Sequence, residues 1–136
     1  MSRLDRLVRT IGPRMDEAEV LIASVLGHRG DGRGHVALVA TDRRLLLVTE
    51  GFTRTMIDEL FYTDVTGFTR TADGAGTTVE VIATEARWRV ERIESDAAGH
   101  VALGLIERRC QRATEPQRTP MPPLPRRVRV LQPDVG

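Results

Sequence analysis

The stretch "TDRRLLLV" at residues 41–48 constrains the fold more than any other, because four consecutive apolar residues follow a polar turn with no polar residue between them. A strand with one wet face alternates apolar and polar side chains. A strand without that alternation needs cover on both faces, from a helix or a second sheet on each side. The preceding "HVALVAT" is a second apolar run, so residues 35–48 read as a hairpin around Thr41 to Arg44. Asp42 is placed to hydrogen-bond the backbone of that turn.

The flanking segments supply further elements. Leu4, Leu7, Val8 and Ile11 lie at helical spacing in residues 2–11, with Ser2 as cap and Asp5 three positions later in a box-like arrangement, and Gly12-Pro13 ends the helix. "EVLIASVLGH" reads as a strand from about Val20, although "MDEAEVLIASVL" can also be drawn as a helix. Four glycines in "GHRGDGRGH" mark a hairpin connection. "TMIDELFY", "VTGFTRT", "TTVEVIAT" and "RWRVERI" are short strands, and "ADGAG" between two of them is a turn. In the last strand Trp88 and Val90 share one face, with Arg87, Arg89 and Glu91 on the other. A helix begins after Ser95, taken as its cap, with Asp96 in the first turn and an apolar stripe of Ala98, Val101, Ala102, Leu105 and Ile106. Gly99 and Gly104 each weaken that helix by roughly 1 kcal/mol unless they permit close packing.

Seven short strands followed by one helix is the element order of a pleckstrin-homology-type barrel, and three stretches resemble the bacterial branch of that family. They are "LVATDRRLLLV", "LFYTDVTGF" and "RVERIESDAAGHVALGLIERR". The resemblance implies an α+β, mainly β fold: a barrel of antiparallel strands capped by a C-terminal helix, with a short helix in front. The resemblance covers a pleckstrin-homology-like domain at 14–111; an N-terminal amphipathic helix at 1–13 and a Pro/Arg-rich tail at 112–136, expected to be disordered or extended, lie outside it. Within the domain, Arg44 leads a strand under the helix, Asp64 caps the turn between Tyr62 and Val65, and Trp88 fills the junction between sheets.

Composition narrows the function classes. Aromatic residues are only 4% of the 136, so aliphatic side chains fill the core. No segment approaches the roughly 18 apolar residues of a membrane span, the first residues mix charge with apolar side chains, and Cys110 has no second cysteine to bridge, so a cytoplasmic location is expected. All 20 basic residues are Arg, with neither Lys nor Asn present, which reads as codon bias and weakens any argument from arginine count. No nucleophile elbow, phosphate-binding loop or paired metal-ligand spacing occurs, so neither an enzyme, a cofactor nor a metal is expected. Asp58 and Glu59 are neighbours on a strand and point to opposite faces, which rules out a catalytic pair.

What remains is a binding module, with a protein or peptide as the first-choice partner. Its surface is a sheet edge, the first hairpin loop or the tail. In the loop, Arg29 and Arg33 can pair with phosphate and His28 and His35 can assist when protonated, so an anionic lipid headgroup is an alternative ligand. Asp31 in its midst and the absence of Lys favour a solvated loop instead. The tail carries Pro122, Pro125 and Arg127 in a Pro-x-x-Pro-x-Arg pattern, readable also as a stiff basic spacer. Arg87, Arg89 and Arg92 offer a stripe to a nucleic-acid backbone, but Glu80, Glu85, Glu91 and Glu94 neutralise it and stacking aromatics are missing, which disfavours nucleic acid.

Overall fold

The computed structural model describes residues 2–30 and 34–114. Helix α1 (Arg3–Arg9) starts with the expected box: Ser2 Oγ accepts the Asp5 amide, and the Asp5 carboxylate accepts that of Ser2. Seven strands follow, namely β1 (Leu21–Arg29), β2 (His35–Thr41), β3 (Arg44–Glu50), β4 (Thr55–Phe61), β5 (Val65–Asp73), β6 (Gly76–Ala83) and β7 (Arg87–Ile93), and then helix α2 (Ala97–Thr114). They form one antiparallel sheet in the order β4-β3-β2-β1-β7-β6-β5. The expected tail at 112–136 falls outside the described residues except for 112–114, which continue α2.

Strand β1 joins the two halves of that sheet. It pairs with β2 along its length but meets β7 only at His28↔Glu91 and Arg29↔Val90. Gly27 makes the crossing possible, since a Cβ there would sit 2.5 Å from Val90 Cγ1 and 2.8 Å from the Glu91 carbonyl oxygen. The halves then close on one core of Val25, Leu38, Leu45, Val81, Val90 and Ile93, sealed by Leu103, Ile106 and Cys110 of α2. Trp88 lies in this core, as its alternation implies.

The apolar run of β3 is covered on both sides, and α1 is the second cover. Leu45 faces the core shared with α2, whereas Leu46 and Val48 face outward and join Ala37 and Val39 of β2 beneath Leu7 and Ile11. Both clusters are needed because adjacent residues of one strand point to opposite faces.

The turn before β3 is held by a buried ion pair that sequence spacing did not reveal. Arg44 grips Glu19 with two hydrogen bonds of 3.0 Å and also reaches Glu59 and the Arg14 carbonyl. Thr41 Oγ donates to Glu19 and accepts the amides of Arg43 and Arg44. Tyr62 Oη donates to the Thr41 carbonyl at 2.6 Å. Thr41 therefore supports the turn, a role expected of Asp42. The Asp42 carboxylate instead accepts the Val20 amide and fixes the entry to β1. Asp64 likewise serves through its backbone, its carbonyl accepting the Thr84 amide while the Val65 amide closes the turn on Tyr62.

Helix α2 differs from expectation in cap and face. Asp96 caps it through the Gly99 amide at 2.7 Å, while Ser95 hydrogen-bonds Thr77. The buried stripe is Leu103, Ile106 and Cys110 with Ala102 beside it, and Val101 is 64% exposed. The expected stripe lacked Leu103 and Cys110, and a free cysteine buries as readily as an aliphatic side chain.

Two outcomes follow. The Glu19 side chain is fully buried, and its Arg44 hydrogen bonds hold the carboxyl down at about 2 despite the opposing effect of burial. A depressed carboxylate stabilises the fold above its unfolded value and loses that contribution as pH falls through the folded one. Denaturant midpoints of the wild type should therefore drop between about pH 4.5 and 2, and Glu19→Gln should start lower and show a shallower drop. On α2, an added Cβ at Gly104 meets nothing within 4 Å, whereas one at Gly99 would lie 2.6 Å from the Glu94 carbonyl oxygen. Gly104→Ala should stabilise by up to about 1 kcal/mol, and Gly99→Ala should destabilise, by thermal unfolding.

Candidate functional site

The β1–β2 register sets His28 opposite His35, with ring centroids 4.5 Å apart and planes tilted by 43°. His28 Nδ1 is buried and has no hydrogen-bond partner. His35 Nδ1 contacts the Arg3 guanidinium, and Arg3 also bonds Glu50 Oε1 at 3.2 Å. Arg6 reaches the other Glu50 oxygen at 3.5 Å, so two arginines tie the start of α1 to the end of β3. Burial holds His35 below the ordinary histidine range, the Arg3 and His28 charges act in the same direction, and Glu50 opposes them. A neutral ring is consistent with Nδ1 accepting from Arg3.

Beside this pair opens a cavity of about 620 Å³. Ser24, Val25, Leu26 and Gly27 all line it. Consecutive strand residues point to alternate faces, so all four can line one cavity only through the strand's edge. This is the part of β1 that has no strand neighbour on its β7 side among the described residues. A β-bulge lies beside the opening. Between Thr77↔Ile93 and Val79↔Val90 strand β7 advances one residue more than β6, and Arg92 within the bulge takes the left-handed conformation with φ 54°. Such a bulge bends its strand, and the pairing of β7 with β1 is confined to Glu91 and Val90. The remaining walls are Ser2 to Leu4 of α1 and the connection into α2, with Arg92, Glu94 and Asp96.

Of the residues singled out in the sequence, the structure brings His28 and His35 together. Arg29 is exposed, and its neighbour His28 takes the cavity side. Arg33, Pro122, Pro125 and Arg127 lie outside the described residues. Arg3, Glu50 and the unpaired stretch of the β1 edge were not legible in the sequence. Register pairing of two histidines across a glycine-rich hairpin was a usable signal, but nothing local places α1 over Glu50. Arg89 is engaged by Glu80 at 3.0 Å and Glu91 at 2.6 Å, the salt-bridged face that charge spacing suggested.

Two other surfaces are notable. The outer edge of β4 has no strand neighbour among the described residues and shows exposed Met56 and Phe61 around Asp58 and Glu59. Phe52, in the β3–β4 turn, is fully exposed. Among the described residues no group of three or more His, Cys, Asp or Glu side chains could hold a metal ion, and no helix is long and apolar enough to cross a membrane.

No protein-family model matches this chain, and no curated protein sequence matches it. The likeness is structural. The fold is similar to the crystal structure of a DUF1696 family protein with a pleckstrin-homology domain from Shewanella loihica, with a TM-score of 0.52 and 17% identity, over 84% of this chain and 99% of that one. The chain thus has a pleckstrin-homology-like fold. Its seven antiparallel strands and C-terminal helix are those that the resemblance in the sequence implied.

The histidine geometry has a direct check. In an NMR titration His35 should lose its proton at a pH below that of an exposed histidine, and Arg3→Ala should move that midpoint upward, because one cation that opposes protonation is removed.

Proposed function

We propose that this chain is a non-enzymatic pleckstrin-homology-like interaction module that binds a protein or peptide partner, and that the partner enters as an extended segment against the bare edge of β1. The observation that carries this reading is the run Ser24 to Gly27 lining one cavity through its edge. An unpaired strand edge presents backbone donors and acceptors in a row, which is what strand addition requires. The cavity supplies walls on either side, so side chains of the added strand gain contacts that an open edge lacks. The β4 edge is the weaker candidate, because Asp58 lies on the core-facing side of an edge strand and Glu59 on the other, a pattern that discourages pairing.

The chain's single thiol, Cys110, is buried and pushed up to about 12 by that burial, which leaves it protonated and unreactive. A second reading, docking on an anionic membrane surface, is favoured by Phe52. The first hairpin loop carries arginines but no apolar side chain, and the neighbouring β3–β4 turn provides one, since Gly34 approaches the Glu50 backbone at that end of the sheet.

A pooled library of eight-residue peptides, followed by amide NMR and hydrogen exchange, distinguishes these surfaces. Binding should shift and protect the amides of Ser24 to Gly27, and Ala98→Trp, which fills the cavity from the exposed first turn of α2, should abolish the effect without lowering the melting temperature. Protection along Thr55–Phe61 instead would move the site to β4. Perturbation confined to Phe52 and its neighbours on anionic vesicles, with no peptide effect, would replace the proposal by the membrane reading.

A further inference from the structure

The groups that hold the first turn of α1 against the sheet meet at one acid. Glu50 Oε1 lies 3.2 Å from the Arg3 guanidinium and 3.8 Å from His35 Nδ1, and its other oxygen lies 3.5 Å from Arg6. Arg3 also donates to His35 Nδ1, which only a neutral ring can accept. His35 is fixed in place, because β2 pairs with β1 on one side and β3 on the other. Arg3 is held less firmly: it begins a seven-residue helix whose buried side chain, Leu7, comes a turn later. Facing His35 are thus Arg3 of α1, His28 of β1 at 4.5 Å between ring centroids, and Glu50 of β3 with Arg6 behind it. From β7, Arg92 contributes least to opposing a charge on His35, and Glu91, opposite His28, is held by Arg89.

We infer that a proton on His35 releases the first turn of α1 from the sheet and loosens the wall that Ser2 to Leu4 give the β1 cavity. The imidazolium donates at both nitrogens, so Nδ1 no longer accepts from Arg3 and the contact becomes one between two cations. Glu50 then faces three cations with one charge. It exchanges Arg3 for His35, already 3.8 Å away, while Arg6 stays on its other oxygen. Arg3 is the one to leave because its side chain is 41% exposed against 30% for His35, and water solvates the freed guanidinium. His28 is joined to neither Arg3 nor Glu50 by a hydrogen bond or ion pair among the described residues, so the link to α1 runs through His35. The direction in pH follows. The fold keeps His35 below the ordinary histidine value of 6.5, so the anchored turn persists at neutral pH and is lost on the acid side. Leu7 and Ile11 sit in the outer cluster and carry no charge, so the end of the helix stays in place.

The test is NMR hydrogen exchange on the full chain at about pH 7.5 and about pH 5, a range that spans histidine titration and stays above that of Glu19. Rates are read as protection factors, which removes the pH dependence of intrinsic exchange. The Arg6 amide, which donates to the Ser2 carbonyl, should lose about tenfold in protection on acidification, with the Thr10 and Ile11 amides and those of β2 unchanged. His35→Gln, whose amide oxygen can accept from Arg3 but takes up no proton, should keep Arg6 protected at both pH values. Should that variant misfold, Arg3→Gln decides: it leaves His35 no cation to displace, and Arg6 protection should become independent of pH. His28→Gln should retain the acid loss, and its disappearance there would assign the proton to His28 and overturn the inference. Equal wild-type protection at both pH values would overturn it, as would an acid loss that persists in His35→Gln or Arg3→Gln. Loss of protection throughout β1 and β2 at about pH 5 would do the same, since the proton would then act on the hairpin and not on the helix.

Discussion

The fold depends on one strand serving two partners that diverge. Strand β1 must pair with β2 throughout and still meet β7, and it does so where Gly27 lets the Val90 side chain and the Glu91 backbone come within 2.5 and 2.8 Å of where a Cβ would be. Any larger residue would hold the halves apart and open the core that they share. The same crossing limits the contact to His28 and Arg29, because strands that cross at an angle stay within hydrogen-bonding distance only briefly. The edge from Ser24 to Leu26, which has no strand partner on the β7 side, is thus a consequence of closing the core, not a separate feature added to it. In this fold the candidate site and the stability of the sheet have a common origin.

The buried ion pair shows how the other end of the sheet is held. Arg14 and Glu19 lie in the segment before β1, Arg44 begins β3 and Glu59 lies on β4, so one guanidinium connects three segments that are distant in sequence. Two buried charges cost several kcal/mol to desolvate, and the pair is tolerable because every Glu19 oxygen is satisfied by Arg44, Thr41 or the Asp16 amide. Replacing both members of such a pair by apolar residues of similar volume is often neutral for stability, but removing one alone leaves the other buried without its partner. What the pair adds is register: the guanidinium fork has a fixed shape, and it sets where β3 starts relative to β1.

Most of the fold was legible because it is local. Alternation in "RWRVERI" placed Trp88 and Val90 inward, the Ser2–Asp5 box began α1, and the apolar run after Arg44 demanded two covers, which α2 and α1 provide through separate clusters. The errors share a cause. Asp42, Asp64 and Ser95 were assigned to cap or brace their own turns, since short polar side chains do so often. In the folded chain Asp42 bonds Val20, Asp64 offers its carbonyl to Thr84, and Ser95 bonds Thr77. Tertiary neighbours displaced local ones in each case. The candidate site was half legible for the same reason: His28 and His35 face each other by hairpin register, but Arg3 joins them across 32 residues of sequence.

That distance gives α1 a second role. As a cover for Leu46 and Val48 it supplies Leu7, with Leu4 and Val8 beside it and Ile11 just after the helix, and any apolar stripe of the right length would serve. Its first turn does more. Arg3 and Arg6 converge on Glu50, and Arg3 holds the His35 ring against His28, so the helix that completes the outer cluster also fixes one wall of the cavity. Because apolar packing is non-directional, it leaves the rotation of α1 about its axis loosely specified. The two charged contacts to Glu50 are directional and remove that freedom. A cavity wall built from a helix terminus needs this arrangement, since a small rotation at Leu7 would swing Ser2 and Leu4 away from the β1 edge. The N-terminal segment is therefore part of what makes the β1 edge a walled groove, and not an appendage beside the sheet.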